Sequence, residues 1–261
     1  MSDTIQLTHH ENGVVVITFN RPRAHNALTI EAMQLFQQSI YRLTDDSTIR
    51  AVILTGAGEK AFCSGGDLVE LSQRTTEAAA REFITIMGDA LLALERLPVP
   101  VIAAINGFAL GGGSEIALAC DIRIVDEAVK MGLVQIKMAV TPGWGAGQRL
   151  LRTIGYAKAM ETLLRGAILR ADDLLALGLA NQVVATGQAL TTALEFANES
   201  ASQPPNVVRG IKALLQAGFN QPYEEALQTE REIFPPLWVS DAHIEAVEQF
   251  FQRQQAKNNG D

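Results

Sequence analysis

Two glycine-rich stretches are the places where this sequence could do chemistry. The first, residues 111–113, follows an apolar run and leads into Glu115, which would lie in the first turn of a short helix. Backbone N–H groups at a turn from a strand into a helix lack intrahelical acceptors, so they suit an anion or an oxygen that becomes anionic in a reaction. The alternative is that the glycines permit tight packing of strand against helix, while Glu115 only favours the helix dipole. The stretch by itself supports both interpretations equally.

The second stretch is the turn with Gly65 and Gly66, which follows the short apolar segment "AFC". Asp67 comes next and is placed to cap the segment after it. Two N–H donors that converge on one oxygen form an oxyanion hole, and the loss of one donor typically raises a reaction barrier by about 2.7–4 kcal/mol. Taken alone, the two glycines are better explained as an ordinary turn.

The elements that would position these stretches alternate between strands and helices in the first half of the chain. β-branched and apolar runs predict strands at 13–20, 51–58, 101–107 and 122–126, and apolar residues at helical spacing predict helices at 30–43 and 77–97. From Gln148 onward helical patterns dominate. This order of elements predicts an α/β core followed by a helical portion.

The composition excludes several classes of protein. The 261 residues are 48% hydrophobic and 19% charged with a formal charge of -8, which suits a large buried core and argues against binding to nucleic acid or anionic membrane. Cys63 and Cys120 lack the spacing of a disulfide scaffold or a metal site. With no signal pattern at the start and apolar runs broken by glycine, we expect a cytoplasmic protein without a membrane span.

Four segments, "RPRAHNALT", "AFCSGGDLVEL", "NGFALGGGSEIALACDIRI" and "TPGWGAGQRLLRTIGYAKAMETLLRG", carry a resemblance that covers nearly the whole chain. In order and approximate spacing they resemble the crotonase superfamily, the enoyl-CoA hydratase/isomerase family. The resemblance implies an α/β fold, a crotonase-like spiral of ββα units with a C-terminal helical trimerisation region. It implies an acyl-CoA site in a core over residues 1–200, a helical region over 201–261, and a homotrimer or a dimer of trimers.

The resemblance also implies which residues act on an acyl-CoA thioester. The thioester carbonyl would lie between the N–H groups of Gly66 and Gly112, and Glu115 matches one of the family's two catalytic glutamates. The second glutamate lies in a stretch similar to "PEIKLGLTPGWGG", whereas this chain has "VQIKMAVTPGWGA" with Gln135 at the matching position. A glutamine can orient a water or a carbonyl by hydrogen bonds, but it cannot exchange a proton at neutral pH.

Several reactions remain compatible with one catalytic carboxylate. Family frequency favours hydration of an enoyl-CoA, slowed or altered by the absence of the second glutamate, since positioned proton transfer is worth about 10²–10⁴-fold. Decarboxylation of a malonyl-type thioester needs only one acid, and residues 223–247 resemble ethylmalonyl-CoA decarboxylase-like members. Double-bond isomerisation and thioester hydrolysis compete as well.

The remaining residues that the resemblance assigns to substrate and coenzyme A binding lie in four segments of the chain. They are Arg23, Ala24, His25, Ala27, Lys60, Ser64, Asp67, Leu68, Phe108, Pro142 and Gly143. Arg23 and Lys60 could meet the coenzyme A phosphates, although both also suit solvated surface charges. No metal and no cofactor beyond the coenzyme A moiety of the substrate is expected.

A non-enzymatic, RNA-associated role is the alternative from a different class, because some proteins of this fold bind RNA. Such proteins present a lysine-rich helix before the strand that corresponds to "VPVIAAI". Here that helix is "EAAAREFITIMGDALLALERL", which is acidic and apolar. We therefore expect no nucleic-acid partner.

Overall fold

The computed structural model describes residues 3–258, and the chain divides into two units between Ser200 and Ala201. The strands lie in the first unit: β1 (Ile5–His9), β2 (Val14–Phe19), β3 (Ala51–Gly56), β4 (Ala61–Cys63), β5 (Val101–Ile105), β6 (Phe108–Leu110), β7 (Ile122–Asp126), β8 (Lys130–Gly132), β9 (Leu169–Arg170) and β10 (Gln182–Val184). The helices of that unit are α1 (Ile30–Thr44), α2 (Leu68–Leu71), α3 (Glu77–Glu95), α4 (Gly112–Leu118), α5 (Ala146–Arg165), α6 (Ala171–Ala176) and most of α7 (Ala189–Ser202). Two 3₁₀ turns, Pro22–Ala24 and Gln135–Met138, complete it.

The larger sheet has six strands in the order β1-β2-β3-β5-β7-β10. β1 runs antiparallel to β2, with Ile5 opposite Phe19, and the other neighbours are parallel. Every residue of β3 and β5 is buried, as expected for apolar strands of a parallel sheet covered on both faces. On one face Phe19 packs against Phe36 of α1 and Phe62 of β4, at centroid distances of 5.6 and 5.5 Å.

The smaller sheet positions the chemistry. Its order is β4-β6-β8-β9, and β4, β6 and β8 are parallel. The carboxyl ends of parallel strands meet at one edge of a sheet. Gly65 and Gly66 follow β4, residues 111–113 follow β6, and Gln135 follows β8. Three segments that are far apart in the chain are therefore brought to the same edge.

Capping residues set where the two long helices of the core begin. Thr29 accepts a hydrogen bond from the N–H of Ala32 and starts α1, while Thr76 does the same for α3 through Ala79. The two helices contact each other, and the Gln37 amide donates to the carbonyl of Ile86 at 3.1 Å. The glycine after α5, Gly166, has a left-handed conformation that ends that helix.

The second unit is helical over its described residues, which confirms the C-terminal helices expected from the sequence. It contains α8 (Pro205–Asn220), α9 (Tyr223–Trp238) and α10 (Asp241–Asn258). Among residues 3–258, no helix is both long and apolar enough to cross a membrane.

The structure differs from the predicted elements mainly at their ends. β1 was not predicted, because "IQLTH" is short and half exposed. The helix predicted over 77–97 ends at Glu95, and the short helix begins at Gly112, before the polar Ser114. α5 starts at Ala146 and contains one non-helical residue, Gly155.

Candidate active site

The two glycine stretches lie side by side at the edge of the smaller sheet. A Cβ atom on Gly65 would lie 2.8 Å from the Gly112 nitrogen, so the two backbone segments are in direct contact. Within residues 3–258, neither the N–H of Gly66 nor that of Gly112 donates to a protein acceptor. Two free donors on adjoining segments are what an oxyanion hole requires.

Packing also explains why these positions are glycines. A Cβ on Gly112 would overlap the ring of Trp144, and one on Gly113 would overlap the carbonyl of Cys63. Gly111 has φ +53°, a conformation that residues with side chains rarely adopt. The glycines therefore allow close packing at the same positions that carry the free N–H groups, so the two interpretations drawn from the sequence are compatible.

Glu115, in the first turn of α4, is 3% exposed and its carboxylate accepts four hydrogen bonds. Oε1 accepts from Gln135 Nε2 at 2.9 Å and from the Gly143 N–H at 3.3 Å. Oε2 accepts from the N–H groups of Trp144 at 2.7 Å and Ala146 at 3.2 Å. A carboxylate offers about four lone-pair sites, so all of them are occupied.

Burial and these hydrogen bonds act on the pKa of Glu115 in opposite directions. Burial disfavours the charged form and raises the pKa above its usual range, whereas the four donors favour the carboxylate and oppose that rise. The net direction is upward. An upward shift moves this carboxyl toward the neutral range, where one group can both accept and return a proton.

Gln135 begins the 3₁₀ turn after β8 and presents its amide to Glu115. Because Nε2 donates to the Glu115 carboxylate, the amide oxygen must point elsewhere. That oxygen, Oε1, is buried and has no hydrogen-bond partner among the described residues. A buried acceptor without a partner costs about 1–3 kcal/mol, which makes it a place for a donor that arrives with substrate.

The loop that follows β2 pairs with the turn after β4. Ser64 donates its N–H to the carbonyl of His25 at 3.1 Å, and Leu28 donates to the carbonyl of Gly65 at 2.8 Å. The predicted coenzyme A contacts of this loop differ in exposure: Arg23 and His25 are exposed, Ala24 is partly buried and Ala27 is buried. Beneath the turn, burial raises the pKa of the Cys63 thiol to about 12, which fits a packing residue.

Asn26 organises that loop, and sequence analysis missed it. It is 1% exposed; its Nδ2 donates to the carbonyls of Ala57 and Ala61, and its Oδ1 accepts from the N–H of Arg21. Its φ is +57°, a conformation that asparagine tolerates better than most residues. An asparagine directly after His25 in an irregular segment was the only available signal.

Asp67 and Leu68, which are also predicted to bind substrate, directly follow the turn with Gly65 and Gly66. Asp67 caps α2 through the N–H of Val69, and its side chain pairs with Arg21 at 2.8 Å. The hydrogen bond from Arg21 holds the pKa of Asp67 below its usual range. Its carboxylate is therefore committed to structure, whereas its neighbour Leu68 is exposed.

Lys60 and Phe108 meet where β4 begins beside β6. The Phe108 N–H donates to the Lys60 carbonyl at 3.0 Å, and both side chains are exposed. Pro142 is half-buried. Gly143, predicted to bind substrate, also donates its N–H to Glu115. No group of three or more His, Cys, Asp or Glu side chains that could hold a metal ion occurs within residues 3–258.

Comparison with known proteins identifies the family of this site. The family model described as "Enoyl-CoA hydratase/isomerase" matches residues 9–260. The chain is 37% identical to a short-chain-enoyl-CoA hydratase of Clostridium acetobutylicum over 93% of each chain, and 32% identical to a crotonyl-CoA hydratase of Syntrophomonas wolfei over 94% of each. The crystal structure of an enoyl-CoA hydratase from Bacillus anthracis superposes with a TM-score of 0.91 at 35% identity, covering 96% of this chain and 97% of that one.

The chain belongs to the enoyl-CoA hydratase/isomerase family and has its crotonase fold. It is an enzyme of that family, which confirms the resemblance seen in the sequence. An acyl-CoA thioester is the substrate class consistent with this membership.

Proposed function

We propose that the enzyme adds water across the α,β double bond of a short 2-enoyl-CoA thioester. The thioester oxygen would accept hydrogen bonds from the N–H groups of Gly66 and Gly112. Glu115 would take a proton from water as the water oxygen bonds to the β carbon and the π electrons move onto the thioester oxygen. Glu115 would then return that proton to the α carbon, so the net change is the addition of one water.

The observation that carries this proposal is the orientation of the Gln135 amide. Its buried Oε1 lacks a partner and can only accept a hydrogen bond, which an attacking water or a product β-hydroxyl can donate. The carboxylate of a malonyl-type thioester has no proton to donate, and it would also be repelled by Glu115. The geometry thus favours hydration over decarboxylation.

Proton transfer to Glu115 also requires that one of the four hydrogen bonds to its carboxylate breaks. The Gly143 N–H, at 3.3 Å, makes the longest of them. It donates to Oε1, the same oxygen that faces Gln135. We assign the proton transfer to Oε1, because Oε2 is held by the shortest bond, 2.7 Å to the Trp144 N–H.

The test is hydration of crotonyl-CoA, followed as loss of the absorbance of the conjugated thioester. In D₂O the product should carry one deuterium at the α carbon, and in ¹⁸O-labelled water one label in the β-hydroxyl. Glu115→Gln should lower kcat by about 10²–10⁴-fold, whereas Glu11→Gln, at an exposed glutamate, should not. Crotonyl-CoA left intact, together with carbon dioxide release from a malonyl-type thioester, would refute hydration in favour of decarboxylation.

We further propose that Arg23 and Lys60, both of which are exposed, bind the phosphates of coenzyme A. Phosphate contacts hold the substrate equally in the ground state and the transition state, so Arg23→Gln and Lys60→Gln should raise KM and leave kcat unchanged. A fall in kcat with unchanged KM would contradict this assignment. The proposed reaction uses no cofactor other than the coenzyme A of its substrate.

A homotrimer, or a dimer of trimers, is the proposed assembly. The helices of the second unit expose large apolar side chains, which typically mark a protein–protein interface. They include Leu215, Phe234, Trp238, Phe250 and Phe251. Light scattering coupled to gel filtration should give three or six times the mass of one chain, and a monomer mass would refute the proposal.

A further inference from the structure

Residues 143–146 form a turn that is held from both sides at Trp144. The Trp144 N–H donates to Glu115 Oε2 at 2.7 Å, and the Trp144 carbonyl accepts from Arg149 Nη1 at 2.8 Å. These groups belong to the two peptide units that flank the Trp144 Cα. Because a peptide unit is planar, anchoring both units fixes the backbone of this residue. The Glu115 carboxylate and the Arg149 guanidinium thus hold the backbone of Trp144 by hydrogen bonds on both sides.

Glu95, the last residue of α3, holds the Arg149 guanidinium in place. Arg149 Nε and Nη2 lie 2.9 and 2.8 Å from Glu95 Oε2, and the Arg149 side chain is only 10% exposed. Arg152 approaches the other carboxylate oxygen less closely, with Nη1 at 3.8 Å. A guanidinium can donate to a carboxylate and a carbonyl at once in a fixed plane, which a lysine ammonium does not reproduce.

The turn is shaped to accommodate this guanidinium. Gly145 has φ +99°, and a Cβ there would lie 2.6 Å from Arg149 Nη1. On the α3 side, a Cβ on Gly143 would overlap Ile84. Glycines at both positions therefore let α3 and Arg149 close around the turn.

We propose that Arg149, fixed by Glu95, is a positioning residue that aligns the turn 143–146 with the Glu115 carboxylate and with Gly112. The link to Gly112 is the Trp144 ring, which occupies the space where a Gly112 side chain would be. Loss of the guanidinium would free the Trp144 carbonyl and loosen both the N–H donors of Glu115 and the packing on Gly112. The catalytic part of this proposal rests on the proposed function; the structural part does not.

A fluorescence titration tests the structural part without turnover. Trp144 and Trp238 are the two tryptophans, so Trp238→Phe leaves Trp144 as the single reporter. Its emission should change as Glu115 titrates, and Glu115→Gln should abolish that change. Arg149→Met and Arg149→Lys should both move the midpoint of the Glu115 titration upward by about one pH unit. This is the shift expected when the ionised Glu115 carboxylate loses one hydrogen bond, here the one from the Trp144 N–H.

The lysine variant and a matched control separate geometry from charge. Arg149→Lys keeps the positive charge but loses the planar set of guanidinium donors. If its titration midpoint shifts as much as that of Arg149→Met, the shift results from the lost alignment of the turn and not from the lost charge. Arg152→Met removes a cation beside Glu95 and retains the bond to the Trp144 carbonyl, so its midpoint should stay near that of the parent. Equal midpoints for the Arg149 and Arg152 variants would overturn the proposal. Glu95→Gln should give an intermediate shift.

Kinetics with crotonyl-CoA test the catalytic part. Arg149→Lys should lower kcat by about 10- to 100-fold, the usual effect of a slightly misplaced catalytic group, with little change in KM. Arg152→Met should keep the parent kcat. A parent enzyme that does not hydrate crotonyl-CoA would refute the proposed function, and the fluorescence titration would still decide whether Arg149 positions the turn.

Discussion

Replacing Gln135 by glutamate would place a second carboxylate against Glu115. The present amide nitrogen lies 2.9 Å from Glu115 Oε1, so the two charged groups would sit in close contact. Two unit charges about 4 Å apart repel by about 4 kcal/mol at an effective dielectric constant of 20, which disfavours a state in which both carboxyl groups are ionised. This repulsion raises the upper apparent pKa of the pair, in addition to the upward shift that burial already gives Glu115.

The variant pair should therefore hold one shared proton to a higher pH than Glu115 alone would, and this proton replaces the hydrogen bond that Nε2 now donates. The site would then contain an acid and a base together, whereas in the proposed reaction Glu115 performs both roles. Gln135→Glu should raise kcat for crotonyl-CoA hydration by about 10²-fold or more. The pH profile of kcat should change from a single ionisation to a bell shape with two apparent pKa values.

The assay is the absorbance loss of crotonyl-CoA, measured over the acid and neutral range for both proteins. Gln148→Glu is the control, since it adds the same charge at an exposed position on α5. An unchanged kcat and a single ionisation in Gln135→Glu would refute the idea that the missing carboxylate limits proton transfer. It would also remove the reason for placing the reacting water beside Gln135.

Three further predictions concern packing and protonation. Gly112→Ala puts a methyl group into the Trp144 ring, so displacement of the Gly112 N–H donor should lower kcat by about 10²–10³-fold. Gly147→Ala, whose methyl group would meet no atom within 4 Å, should leave kcat unchanged. Equal effects of the two substitutions would contradict the assignment of the Gly112 N–H as an oxyanion-hole donor. Because the pKa of Glu115 is raised in the folded chain, its contribution to stability is fully present below its ordinary pKa and is lost as the pH rises through the raised value. Urea unfolding at a series of pH values should thus show that the free energy of unfolding of Glu115→Gln increases relative to that of the parent as the pH rises. The increase should be about 1.4 kcal/mol for every tenfold difference between the folded and unfolded acid dissociation constants of Glu115. A difference between the two proteins that does not change with pH would rule this out. Asn26→Ala should lower the free energy of unfolding by about 1–3 kcal/mol, because buried carbonyls lose their donor; a change in the same urea experiment within error would contradict it.

Much of the fold could be predicted from the sequence, because the patterns that indicate strands and helices are local. β-branched and apolar runs predicted β2, β3, β5 and β7, and apolar residues at helical spacing predicted α1 from residue 30. β1 was missed because a short, half-exposed edge strand carries few β-branched residues. α3 ends two residues before its predicted end, since the last turn of a helix depends on what packs against it.

Only part of the candidate site could be predicted from the sequence, for a different physical reason. The residues with distinctive side chains, Glu115 and Gln135, could be picked out by type and by their place in a family pattern. Three of the four donors to Glu115 are backbone N–H groups, which every residue except proline carries and which therefore leave no mark in the sequence. Asn26 escaped notice because its hydrogen bonds reach carbonyls 31 and 35 positions away.

The sequence by itself determined the family, the alternation of strands and helices before a helical C-terminal part, and a glutamine where the family pattern leads us to expect a second glutamate, because each is a matter of residue type and spacing along the chain. Tertiary structure alone decided that the ends of β4, β6 and β8 meet at one edge of a sheet. It also decided that Glu115 is saturated with donors and that Gln135 turns its oxygen away from it. Hydrogen-bond direction and burial depend on groups that come together only when the strands pair. The reactivity of this carboxylate is thus a property of the folded edge.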